Sequence, residues 1–210
     1  NPRTLRSVQF AVSMTSPSHG PLTSRSLAAW VKVILPEYMR AYESGRVCAM
    51  TIELSRGTAV TAHAPAAIFD LWSSPQTWAT WDPEVRSAQL DGDIEVGARG
   101  RLKPRSGPAA TFTIVELIEG EALVDASALP GARLVFDHRV TAAPLIEAGS
   151  GSSLTYLVTV VITVEGPMSP LFGRLLRRSF EGAAQSGIDG LLAHLDADHA
   201  PQPSAESPSR

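Results

Sequence analysis

From Leu154 onward the chain alternates. Leu154, Tyr156, Val158, Val160, Ile162 and Val164 share one parity, and Thr155, Thr159, Thr163 and Glu165 take the other. A period of two in β-branched residues predicts a strand with one wet face, entered from the Gly149–Ser153 loop. The segment Gly166-Pro-Met-Ser-Pro170 then ends the strand. Ser169 is placed to cap a helix and Pro170 suits its first turn, where the missing N–H would be unpaired anyway. A single helix is expected from Pro170 to about Leu195, close to ~40 Å at ~1.5 Å per residue. Phe172, Leu176, Phe180, Ala183, Gly187 and Leu191 fall on one face, and Arg174, Arg178, Glu181, Gln185 and Asp189 on the other. A long strand thus hands over to a long amphipathic helix. Both find apolar cover if the helix crosses the concave face of the sheet that holds the strand.

The upstream pattern supplies that sheet. Thr51 to His63 is the expected first strand, with Ile52, Leu54 and Val60 as its apolar positions. Ala64-Pro65 breaks it, and short helices follow over Ala66–Trp72 and Gln76–Thr80. Trp72, Trp78, Trp81 and Phe69 gather there before Asp82-Pro83 ends the helical part. Strands are then expected at Val85–Leu90, Arg99–Arg105, Ala110–Glu119, Ala122–Leu129 and Arg133–Ala142. They are separated by turn sequences such as Asp91-Gly92-Asp93 and Pro130-Gly131.

Residues 1–49 read differently. Their first half is rich in Ser, Thr, Pro and Arg without a sustained period, which predicts disorder. Leu27 to Tyr42 has helical spacing, interrupted by Pro36. Met50 stands directly before the first strand. The expectation is therefore an N-terminal extension over 1–49, largely disordered or not native to the product, or else an arm that packs on the domain. One domain is expected over 50–197, and a Pro/Ser/Ala tail over 198–210.

Composition narrows the function. The chain has 210 residues, a net charge of −3 and 44% hydrophobic residues, enough for one substantial core. Lys32 and Lys103 are the only lysines, so arginine supplies nearly all the positive charge; with the abundant alanine, this points to GC-rich coding and a bacterial source. No basic stripe stands out, which argues against nucleic acid as a partner. No apolar run approaches the ~20 residues of a membrane span. A lone cysteine, Cys48, excludes an internal disulfide and fits the cytoplasm. There is no Gly-x-Ser-x-Gly, no phosphate-binding glycine loop and no dinucleotide fingerprint, so no cofactor is implied. The five histidines have no ligand spacing and suggest no metal site.

Three landmarks carry a family resemblance. Ala64-Pro65-Ala-Ala-Ile-Phe-Asp-Leu-Trp72 is similar to the segment after the first strand of the START-like, or SRPBCC, superfamily. Trp78-Ala-Thr-Trp81-Asp82-Pro83-Glu84-Val85 resembles its entry to the second strand. The late Gly-Ser-Ser-Leu-Thr strand, Gly166-Pro167 and the long helix complete the likeness. It spans Thr51 to about Leu195 and is nearest the polyketide cyclase/dehydrase-like group. The resemblance implies an α+β helix-grip fold, a curved antiparallel sheet of about six to seven strands around a long C-terminal helix, with two short helices after strand one. It also implies a cavity for a hydrophobic small molecule such as a lipid, sterol, quinone or polyketide. Some members are cyclases, and many have no demonstrated reaction.

Strand parity indicates what would line such a cavity. Leu134, Phe136, His138 and Val140 share the face expected to meet the helix, opposite Arg133, Asp137 and Arg139. Tyr156 points inward by the same rule. His138 and Tyr156 are thus the acid/base candidates. Trp78, Trp81, Phe112, Phe136, His138, Tyr156, Phe172, Leu176 and Phe180 are the expected ligand-contacting set. A histidine on an apolar face is more often a satisfied core residue, and packing alone would explain the aromatic positions. Arg101 and Asp82 stand where they could reach a pocket mouth. Arg174, Arg177 and Arg178 form a basic patch, read as a solvated face or as a contact with anionic headgroups. The inward inventory is mostly hydrocarbon, with no evident nucleophile or carboxylate pair. That favours a carrier of hydrophobic ligands, monomeric or dimeric, over a cyclase/dehydratase or an interaction module with a filled core.

Overall fold

The computed structural model describes residues 50–143 and 154–199. Seven strands form one antiparallel sheet in the order β1-β7-β6-β5-β4-β3-β2. They are β1 Met50–Thr61, β2 Val85–Leu90, β3 Arg99–Pro104, β4 Ala110–Ile118, β5 Ala122–Leu129, β6 Ala132–Ala142 and β7 Tyr156–Gly166. The sheet is a meander from β2 to β7, closed by β1 lying antiparallel beside β7. Expectations for residues 1–49, for the Gly149 loop and for the tail beyond His199 fall outside the described residues.

Between β1 and β2 lie helix α1, Pro65–Trp72, a single 3₁₀ turn at Pro75–Thr77 and a short helix α2, Trp78–Trp81. Proline opens α1 within its first turn. Ile68, Phe69, Trp72, Trp78 and Trp81 are all buried, so this segment is a plug at one end of the sheet. The Trp78 indole N–H donates to the Trp72 carbonyl at 2.9 Å, which ties the two helices together.

Strand β1 departs from uninterrupted alternation. A bulge between Glu53 and Ser55 inserts Leu54 and changes the parity of everything after it. Ile52 pairs with Val164, and beyond the bulge Ser55, Gly57 and Ala59 pair with Ile162, Val160 and Val158. Val60, expected to be an inward apolar position, is 62% exposed as a result.

The C-terminal helix is also interrupted. Where the periodicity predicts one helix, there are two: α3, Ser169–Phe180, and α4, Ala183–His199, which runs two residues into the expected tail. Gly182, at φ +74°, makes the break. The turn shifts the start of the buried stripe by one residue: Ala184 and Ile188 are buried in place of the predicted Ala183 and Gly187, while Leu191 is buried as predicted and Leu195 continues the stripe. Ser169 is not the cap. It is the first residue of α3, and its hydroxyl donates to the Met50 carbonyl at 2.8 Å, fastening α3 to β1.

Helix α4 begins hard against β1. A Cβ on Gly57 would lie 2.6 Å from the Gln185 nitrogen and 2.7 Å from the Ala184 carbonyl, so glycine permits the approach. The Ala184 N–H, unpaired within its own helix, donates to Ser55 Oγ at 3.2 Å. The Thr58 N–H in turn donates to Gln185 Oε1 at 3.0 Å. Farther along, Gly190 passes so close to the Trp81 carbonyl that a Cβ there would collide with it. The two helices therefore rest mainly on β1 and β7, with α4 also meeting α2.

Candidate functional site

Register decides which side chains face the helices. Leu123 pairs with His138 and Asp125 with Phe136 across β5 and β6; His138 pairs with Val160 and Phe136 with Ile162 across β6 and β7. Val160 and Ile162 are buried beneath the helices, so Leu123, Asp125, Phe136 and His138 share the concave face. Leu134 and Val140 join them, as the parity of β6 predicts. Arg133 and Arg139 turn outward and pair with Glu165 at 2.7 Å and Glu116 at 3.1 Å.

At the plugged end this face is sealed. Phe112 is buried with its ring 5.3 Å from that of Trp78, and Trp78 and Trp81 are themselves buried. These three expected ligand contacts are buried, Trp78 and Trp81 in the plug and Phe112 on β4. The rest of the expected set is elsewhere on the face. Phe136 and Phe180 meet edge to face at 5.9 Å. Phe172, Leu176 and Phe180 form the sheet-facing stripe of α3, and Tyr156 ends the inward row of β7 opposite Ala142. All of these, with Leu134 and Phe136, are only half-buried.

His138 lies between the two regions. Its ring is 5.4 Å from that of Trp72. Its Nδ1–H donates to the Leu123 carbonyl at 3.3 Å, because a carbonyl can only accept. Nε2 is then left holding a lone pair. Burial pushes the imidazole down to about 4, against the opposing pull of that hydrogen bond, so the ring is neutral near pH 7.

Asp125 is the residue that sequence reasoning missed. It is 5% exposed, set among Leu123, Ile114 and Phe136, and no ion pair or hydrogen bond to its carboxyl is found among the described residues. Burial pushes that carboxyl up to about 7. No signal in the sequence singles it out, because β5 carries apolar residues on both parities.

The two other sequence candidates do other work. Asp82 Oδ1 accepts the Glu84 N–H at 2.8 Å, closing the turn into β2, and burial raises its carboxyl. Arg101 pairs with Thr111 on the outer face. There, with Arg99, Thr113 and Arg133, it borders an open hollow of about 510 Å³ on the side away from the helices. Arg174, Arg177 and Arg178 are exposed on α3. Among the described residues no cluster of His, Cys, Asp or Glu is arranged to hold a metal ion, and no helix is long and apolar enough to cross a membrane.

A curved antiparallel sheet gripping C-terminal helices, plugged at one end by two short ones, defines a helix-grip protein of the START-like class. Residues 41–196 match the family described as polyketide cyclase / dehydrase and lipid transport, and the chain belongs to that family. Its fold is similar to norcoclaurine synthase from Thalictrum flavum, at 10% identity over 73% of this chain and 96% of that one, with a TM-score of 0.52. It is similar to an aromatase/cyclase from Streptomyces at 8% identity, over 73% and 98% of the two chains, with a TM-score of 0.51. A START superfamily protein from Mycobacterium smegmatis matches at 14% identity, over 69% and 99%, with a TM-score of 0.50. At such identities the likeness is one of fold. No curated protein matches the chain in sequence.

Proposed function

We propose that the protein binds a hydrophobic small molecule between the concave face and helices α3 and α4. One observation carries this reading. Leu134, Phe136 and Tyr156 on the concave face and Phe172, Leu176 and Phe180 on α3 stay half-buried, whereas Ile114, Leu123 and Val158 on the concave face are fully buried. Apolar surface left uncovered inside a fold is surface a ligand can cover, gaining about 2.5 kcal/mol per 100 Å². Lipids, quinones and polyketide-like molecules fit that lining. The lone cysteine favours the cytoplasm, and a monomer or dimer acting without nucleic acid completes the reading.

The test is native mass spectrometry of the full chain, followed by solvent extraction. A defined apolar molecule at one per chain is expected. A protein that comes out empty, and that no member of a panel of fatty alcohols, quinones and aromatic polyketides stabilises, would overturn the reading.

Asp125 and His138 favour a second reading, a cyclase or dehydratase acting on a polyketide-like substrate. Their environments move their proton affinities in opposite directions, which is how acid and base roles are separated. Tyr156 would orient the substrate. His138→Ala distinguishes the two readings: a carrier still binds its ligand, whereas an enzyme keeps its fold and loses turnover.

A further inference from the structure

Among the described residues the concave face carries a carboxyl and no fixed positive charge. Arg56, Arg99, Arg101, Arg133 and Arg139 all pair in register with outward positions. The arginines of α3 are exposed, and the sheet-facing stripes of both helices are apolar. Around Asp125 stand Leu123 and Ser127 on its own strand, Ile114 on β4, and Phe136 and His138 on β6. His138 is the one other titratable group in that set. It is neutral and offers a lone pair at Nε2, so beside the Asp125 carboxyl that set holds a second acceptor and no cation.

Resting on the binding reading above, we propose that the ligand is a hydrophobic amine whose ammonium group is held by Asp125, and that molecules ending in a carboxylate are rejected. A buried carboxylate without a partner is costly, and an ammonium supplies the missing donors through short charge-assisted hydrogen bonds. The rings of Phe136 and Phe180 add faces that attract a cation. A fatty acid would bring a second negative charge beside Asp125 with no cation to share, and like charges at that spacing repel strongly in an apolar site. Ionisation of the carboxyl near pH 7 makes amine binding strengthen as pH rises, because alkylamines stay protonated there.

The experiment compares three molecules with the same twelve-carbon tail, namely dodecylamine, dodecanol and laurate. Each displaces a fluorescent apolar probe from the full chain below its aggregation concentration. At pH 8 the amine is expected to bind at least tenfold more tightly than the alcohol, and laurate more weakly than both. Between pH 6 and 8 amine affinity is expected to rise about tenfold while alcohol affinity stays level. Asp125→Asn, which keeps size and shape, brings the amine down to the alcohol; a thermal melt confirms its fold. Laurate binding as tightly as the amine, or an amine preference that survives Asp125→Asn, overturns the inference and leaves the binding reading intact. Failure of the probe and all three molecules to bind overturns both.

Discussion

Asp125 and His138 stand diagonally across the β5–β6 ladder, since Asp125 pairs with Phe136 and His138 with Leu123. Diagonal partners on one face lie about 7–8 Å apart between Cα atoms, so an acid and a base share one small apolar neighbourhood. Burial holds the carboxyl at about 7, above its ordinary 3.8, and the imidazole at about 4, below its ordinary 6.5. Asp125 therefore adds stability below pH 3.8 that is lost as pH rises towards 7. His138 adds stability above pH 6.5 that is lost as pH falls towards 4. Between those limits the folded and unfolded chains hold the same number of protons across the two sites, and the slopes cancel. Each single variant uncovers the other's slope. Asp125→Asn loses stability as pH falls from 6.5 to 4, and His138→Gln loses it as pH rises from 4 to 7. Each change is on the order of 2–4 kcal/mol. Urea midpoints at several pH values check this; parallel profiles for the wild type and both variants would sink it.

Two glycines in α4 respond oppositely to alanine. Around Gly187 a Cβ meets nothing nearer than Asp82 Oδ2 at 3.8 Å, so Gly187→Ala raises stability by about 1 kcal/mol through helix propensity. At Gly190 the added methyl collides with the Trp81 carbonyl, and Gly190→Ala costs about 1–3 kcal/mol or more. Chemical denaturation measures both, and equal signs would contradict the packing described.

Gly182 is expected to resist alanine for a different reason. A Cβ there has open space, yet φ is +74°. Gly182→Ala costs about 1–2 kcal/mol from backbone conformation alone. Calorimetry of that variant beside Gly187→Ala separates the turn from the helix interior; stabilisation by both would mean that α3 and α4 can run on as one helix.

The buried indoles also differ. Trp78→Phe removes the donor to the Trp72 carbonyl and leaves that oxygen unpaired, at a cost of about 1–3 kcal/mol beyond the lost volume. The Trp81 Nε1 has no partner among the described residues, so Trp81→Phe removes an unsatisfied donor and costs less. Unfolding monitored by far-ultraviolet circular dichroism ranks the two, and the reverse order would be inconsistent with these contacts.

Much of the sheet was legible because its turns are written in glycine and proline and its strands in β-branched residues. Val85–Leu90 and Ala122–Leu129 have the bounds that pattern predicts. The break at Gly182 was not legible, since an amphipathic run tolerates one glycine and only the docking of α4 against Gly57 shows why the rotation must change there. His138 could be placed because β6 sets arginines against hydrocarbons on its two faces. Asp125 could not, because β5 is apolar on both. Ala122, Leu123 and Val124 are all buried, so alternation does not say which parity faces the helices until the register with β6 is known.

The bulge at Leu54 bears on how this chain is aligned with its relatives. Every position from Ser55 to Thr61 is displaced by one residue relative to an uninterrupted strand. An alignment carried through β1 without a gap would match the glycine that admits α4 to solvent-facing positions in a relative without the bulge, and would score Val60 as core. Substitution patterns along this strand carry meaning only once that single offset is introduced.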